Sequence, residues 1–156
     1  AMKVLLKQGV CLERLWPYRP HQRNDHKPGA DSQAQTYRIR AYARIRGIEE
    51  MKRSLLANGP FLAGVQVFES WFSRRVQQSG RIPLPAKGEQ PAGGHAICID
   101  GYDQRRKFFK FKNSWGSAWA DHGYGSKGFE YMRRFCMDAW SATDLVVARR
   151  YKAEFR

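Results

Sequence analysis

A histidine and an asparagine stand 18 positions apart in this 156-residue sequence. His95 heads the apolar run HAICIDGY, and Asn113 falls near the end of the next run, KFFKFKNSW. If the two runs form a hairpin centred on Gln104, residue i faces residue 208 − i, and His95 faces Asn113. Opposed residues on one face of an antiparallel pair have Cβ atoms about 4.5–5.5 Å apart. At that separation the Asn113 amide oxygen reaches one imidazole nitrogen. Engaging one ring nitrogen fixes the tautomer and leaves the other available for proton transfer. A base that activates a nucleophile is prepared in this way. Trp115, two residues further on, is placed to cover the hydrogen bond from water, and Gly93 and Gly94 leave room ahead of the histidine for another backbone to approach. Against this stands the ordinary reading of a lone histidine at a strand end, a satisfied polar residue with no reactive duty.

A base of this kind needs a nucleophile, and the sequence offers three cysteines. Cys98 lies three residues from His95 in the same strand, so it points to the opposite face and reads as a small buried hydrophobe. Cys136, between Phe135 and Met137, reads as core. Cys11, in a GVC turn, lacks the helix N-terminus that depresses a thiol pKa. Three cysteines without a CxxC pair form neither a disulfide framework nor a zinc site, and no metal or cofactor is expected.

The elements that must hold these residues follow from periodicity. Residues 1–8 read as a helix ending at Gly9, and 20–34 as a polar loop. TYRIRAYARI alternates, with Tyr37, Ile39, Ala41, Ala43 and Ile45 on one side, as in a half-buried strand. IEEMKRSLLANGP sets Ile48, Met51 and Leu55 on one helical face and stops at Gly59-Pro60. FLAGVQVF is an apolar strand, ESWFSRRV a short helix, and 77–94 a long loop. After the hairpin come a glycine-rich loop and late strands around FEYMRRF and TDLVVARR. The class is α+β, mostly antiparallel sheet.

A composition with 42% hydrophobic and 13% aromatic residues is that of a globular chain. No apolar run nears the ~18 residues of a membrane span. The opening AMKVLLKQGV is too short for a secretory signal and reads as the tail of an amphipathic helix. The net charge of +14 splits evenly, +7 before and +7 after Pro60. Charge spread in this way is that of a solvated basic surface, and any nucleic-acid binding is expected to be weak and non-specific.

The stretches GGHAICIDGYD and FKNSWGSAWADHGYG resemble the C-terminal half of papain-like cysteine peptidases, the family that includes the cathepsins. His95, Ala96, Ile97, Ile99, Gly101 and Tyr102 match the family's histidine strand, and Asn113, Ser114, Trp115 and Gly116 its N-S-W-G motif. Trp119 to Gly125 match W-G-x-x-G-Y-G, with Ala120 in place of a glycine. GVCLERLWPY and NGPFLAGVQV fit as well, so the likeness runs from residue 1 to about Thr143. The resemblance implies His95 and Asn113 as catalytic residues and Trp115 and Trp119 as their screen. It also implies a substrate groove at Gly93, Gly94 and Ala96, and peptide or protein substrates. Residues 1–20 would end the family's helical left domain, and 21–156 would form its β-rich right domain, an antiparallel sheet or barrel.

The family's nucleophilic cysteine lies about 130–150 residues before its histidine, and only 94 residues precede His95. The nucleophile is therefore expected on a missing N-terminal segment or a second chain, a complementary cysteine-bearing segment, with an apolar face of the sheet left open to receive it. Two alternatives stand beside this one: an inactive pseudo-peptidase that binds peptides or a partner, and a basic module that binds polyanions.

Overall fold

The computed structural model describes residues 1–19 and 25–144. The chain forms two compact units. One takes in the described residues up to Tyr42 together with the end of the described chain from Ala142, and the other is Ala43–Ser141.

The first unit begins with helix α1 (Met2–Lys7), which gives way at Gly9. The polar stretch expected as a loop over 20–34 contains helix α2 (Ala30–Ala34), continued by a 3-10 turn at Gln35–Tyr37; residues 20–24 lie outside the described residues. Gly29 starts α2 at φ 87°, the Ser32 hydroxyl donates to the Gly29 carbonyl at 3.0 Å, and Asp31 complements the first-turn dipole. A helix this short has no period to read. Strand β1 (Ile39–Arg44) follows. Its alternation is weaker than expected: Ile39 and Ile45 are buried, while Tyr37, Ala41 and Ala43 are exposed.

The second unit carries the sheet. Helix α3 (Gly47–Asn58) buries Ile48, Met51 and Ser54, with Leu55 packed beside them. Glu50 reaches back to accept from the Arg46 N–H at 2.7 Å, and Gly59 ends the helix at φ 81°. Strand β2 (Phe61–Phe68) buries Phe61, Ala63, Val65 and Val67, the period-2 row the sequence predicts. A 3-10 turn at Glu69–Phe72 leads to α4 (Arg74–Ser79), capped by Ser73. The expected loop over 77–94 is shorter than predicted, because the two-residue β3 (Arg81–Ile82) and a long β4 (Pro91–Asp103) enter it. Then follow β5 (Phe108–Lys112), β6 (Tyr124–Gly128), α5 (Phe129–Phe135) and β7 (Cys136–Asp144).

Three late expectations change. Part of the glycine-rich stretch is strand β6. FEYMRRF is a helix rather than a strand: Phe129, Met132 and Phe135 recur at helical spacing, and Glu130 pairs with Arg133 one turn on. Of TDLVVARR only Thr143 and Asp144 are described, at the end of β7.

The seven strands lie in the order β1-β7-β2-β4-β5-β6-β3, a mixed α+β architecture. Neighbours from β7 to β6 pair antiparallel, and β3 pairs parallel with β6. Phe61, Val65, Ile99, Phe109, Phe111, Trp71 and Tyr131 make the densest part of the core, none above 2% exposed. Burying a side chain of this kind contributes about 1.5–3 kcal/mol. The apolar face expected on the sheet is limited to Leu62 and Met137, and several of the exposed large apolar residues lie within the first 18 positions, at Val4, Val10, Leu12, Trp16 and Tyr18. No described helix is long and apolar enough to cross a membrane.

Candidate active site

His95 belongs to the inward row of β4. Ile97 and Ile99 of that row are buried in the core, and His95, at its outer end, is half-buried opposite Val65 of β2. The hairpin register differs from the predicted one. Cys98 pairs with Lys112 and Ile99 with Phe111, and after an irregularity Gly101 pairs with Lys110. His95 and Asn113 are therefore not opposed in the ladder. They meet because β5 ends at Lys112: the Asn113 N–H turns away to the Gly123 carbonyl at 2.8 Å, and the side chain swings toward β4.

The result is a hydrogen bond of 2.8 Å between His95 Nε2 and Asn113 Oδ1. The Ser114 N–H also donates to Asn113 Oδ1, at 2.9 Å. An atom that accepts from a backbone N–H is the amide oxygen, so Nε2 of His95 carries the proton and donates. Among the described residues Nδ1 has no hydrogen-bond partner. Asn113 is 8% exposed, and its Nδ2 is buried without a partner.

Aromatic rings enclose the pair. Trp115 lies 5.2 Å from the His95 ring, tilted by 31°. Trp71 meets His95 edge-on at 6.2 Å, and Trp119 stands edge-on to Trp115 at 5.5 Å. Trp119 thus backs Trp115 rather than the imidazole. Phe72 stacks on the Trp115 indole at 5.8 Å, and a cleft of about 420 Å³ opens among Phe72, Gln77, Trp115 and Trp119. The Trp71 indole N–H donates to the Tyr131 hydroxyl at 2.8 Å, which donates to the Gln66 carbonyl at 2.7 Å. Trp71 and Tyr131 escaped the sequence reading, because each stands in a short segment without a period of its own.

Beside His95, Gly93 adopts φ 138° and Gly94 faces Gln66 of β2. A Cβ on Gly93 would meet nothing within 4 Å, and one on Gly94 only the Met137 methyl, at 3.0 Å. Ala96 is exposed opposite Gly64. The three small residues thus line an open strip, and no backbone of the described chain fills it. Across the strip the Asp138 carboxylate accepts from the Gly64 N–H and the Trp140 indole, each at 3.2 Å.

Neither thiol of this unit is prepared to attack. Cys98 points away from His95 as expected, but it is half-buried rather than buried; desolvation first, then Asp100, pushes its thiol up. Cys136, also half-buried, is pushed up to about 11, by burial and then by Asp138. No group of three or more potential metal ligands occurs among the described residues. Ala120 takes φ 47°, the left-handed conformation that suits the glycine of the motif it departs from.

One further residue was illegible. Lys127 is 1% exposed and has no hydrogen-bond partner; its ammonium lies 4.2 Å from the centre of the Trp71 ring, 4.7 Å from Phe111 and 5.0 Å from Tyr131. Burial holds it well below the usual lysine range.

A family profile described as papain family cysteine protease matches residues 1–134. An uncharacterized peptidase C1-like protein of Acanthamoeba polyphaga mimivirus is 36% identical over 161 residues, which cover 94% of this chain and 52% of that protein. The crystal structure of xylellain, a cysteine protease from Xylella fastidiosa, is similar with a TM-score of 0.77 and 32% identity, over 93% of this chain and 60% of that one. Digestive procathepsin L 3 of Tenebrio molitor larval midgut shares the fold at 17% identity, with a TM-score of 0.67 over 91% and 46% of the two chains. The chain thus spans about half the length of the mimivirus relative.

Proposed function

The chain belongs to the papain family of cysteine proteases, and from that premise we propose that it supplies the base and the orienting amide of a Cys-His-Asn peptidase. The nucleophilic cysteine comes from a complementary segment outside these 156 residues. The thiolate pairs with protonated His95 at Nδ1, which lowers the thiol pKa below its free value of ~8.5. It attacks the scissile carbonyl, and His95 protonates the leaving amine. His95 then activates the water that cleaves the thioester. Asn113 holds the ring, and Trp115, backed by Trp119, keeps water from the hydrogen bond. Gly93, Gly94 and Ala96 line the groove for the substrate side chain just before the cleavage site. Residues 1–20 are assigned to the end of a helical domain, and 21–156 to the β-rich domain that carries the base.

The observation that carries this reading is the hydrogen bond from His95 Nε2 to Asn113 Oδ1 beneath Trp115, with Nδ1 left without a partner among the described residues. The exposed Val10, Trp16 and Tyr18 are apolar side chains that a complementary segment would cover. A fluorogenic peptide assay tests it. The chain alone is expected to be inactive, and the chain with a cysteine-bearing segment to turn over until His95→Ala is introduced. Thiol-dependent turnover by the chain alone, abolished by Cys11→Ser, would overturn the split arrangement.

The open strip at Gly93, Gly94 and Ala96 also suits one second reading, a pseudo-peptidase that binds peptides along it. Peptide binding without hydrolysis in the complete assembly would establish it.

A further inference from the structure

A second cavity, of about 660 Å³, lies on the outer face of β5 and β6, beside β3. Strand alternation separates it from the catalytic residues. Phe109 and Phe111 of β5 and Gly125 and Lys127 of β6 turn inward to the core, the side on which His95 meets Trp71. Lys110, Tyr124 and Ser126 turn the other way and line the cavity with Arg81, Arg106 and Asp121. The lining holds four basic residues, of which Lys127 is buried with its ammonium among the core rings, and one carboxylate. The Arg81 guanidinium has no ion-pair partner among the described residues. Arg106 is 77% exposed and only 3.9 Å from Asp103, outside the cavity, and Lys110 rests over the Tyr124 ring at 4.8 Å.

We propose that this cavity is a binding site for an acidic stretch of polypeptide, whose carboxylates pair with Arg81, Arg106 and Lys110. Arginine forks bind carboxylates in a bidentate manner, and the Ser126 hydroxyl adds a donor. The volume is that of a pocket for a few side chains, within the usual range of about 300–1,000 Å³. A nucleic-acid duplex is too broad to enter it. A single strand would need aromatic faces to stack on; of the two rings in the lining, Tyr124 is covered by Lys110 and Phe108 is half-buried. Asp121 in the wall repels a uniformly charged polyanion but accepts a backbone N–H from a peptide. The cavity thus gathers Arg81, Arg106 and Lys110 on one outer face of the sheet.

Fluorescence anisotropy of labelled octaglutamate, titrated with the intact protein at low salt, tests the site. Arg81→Glu with Lys110→Glu is expected to weaken binding by about tenfold or more. Lys3→Glu with Lys7→Glu changes the net charge by the same amount on exposed positions of α1 and is expected to weaken it by less than about threefold. The neutral pair Arg81→Gln and Lys110→Gln gives the same ranking should the glutamate variant fail to fold, and His95→Ala leaves binding unchanged, which separates this site from the catalytic reading. Three outcomes would overturn the proposal: equal losses in both charge-reversed variants, no octaglutamate binding, or selective loss of heparin or duplex DNA binding at Arg81 and Lys110 while octaglutamate is unaffected.

Discussion

The Asn113 amide is committed on its oxygen and idle on its nitrogen. Its oxygen takes two donors, the Ser114 backbone and the imidazole of His95. Replacing Asn113 with alanine releases the imidazole and removes the acceptor of two donors, the His95 ring N–H and the Ser114 N–H. In the complete enzyme this substitution is expected to lower kcat/KM by about 10- to 100-fold, the equivalent of one buried hydrogen bond. Steady-state kinetics on a peptide substrate checks this, and an unchanged kcat/KM would remove Asn113 from the mechanism. Lys127 presents the reverse case, a polar group buried without a hydrogen-bond partner. Because burial depresses its pKa in the fold, the unfolded chain binds the extra proton between the folded pKa and the ordinary lysine value. The charge therefore destabilises the fold increasingly as pH falls from about 10.5 through that window. Lys127→Met is expected to raise stability by about 1–3 kcal/mol at neutral pH, with the gain shrinking as pH rises toward 10.5. Thermal melts across that range check the sign, and a less stable variant at neutral pH would mean that the aromatic faces favour the ammonium by more than its desolvation costs.

Elements with a full period were legible in the sequence. β2 buries every second residue and α3 every third or fourth, because both lie half against the core. α5 was misread because seven residues offer both a strand-like and a helix-like pattern, and only packing decides between them. β6 stayed hidden because its inward row is Gly125 and Lys127, neither of which signals burial. The His95–Asn113 contact was anticipated from a register the strands do not adopt, and it forms because β5 ends early. The same corner of the sheet depends on one close approach: a Cβ on Gly125 would stand 2.6 Å from the Gly80 carbonyl oxygen and 2.7 Å from the Phe111 ring. Gly125→Ala is therefore expected to cost about 1–3 kcal/mol, seen in urea as a lower midpoint with an unchanged slope. A neutral result would show that β3 and β6 part without penalty.

At the scale of the molecule, His95 and Asn113 sit wholly within the unit spanning Ala43–Ser141, and the first 18 residues contribute exposed apolar side chains to the other unit. A segment that binds only the folded chain raises its melting temperature by mass action, so a cysteine-bearing segment is expected to shift the melt upward in proportion to the logarithm of its concentration. No shift would remove the complementary segment. The indoles around His95 make the same event visible by light. Trp115 lies 6.2 Å from Trp71 and 5.5 Å from Trp119, close enough to share excitation energy. An imidazolium lying 5.2 Å from Trp115 quenches their emission, and loss of water from its exposed edge moves the emission to the blue. Docking of the proposed cysteine-bearing segment is therefore expected to give a dimmer, bluer fluorescence that Trp115→Phe abolishes, an intrinsic optical gauge of that proposed assembly.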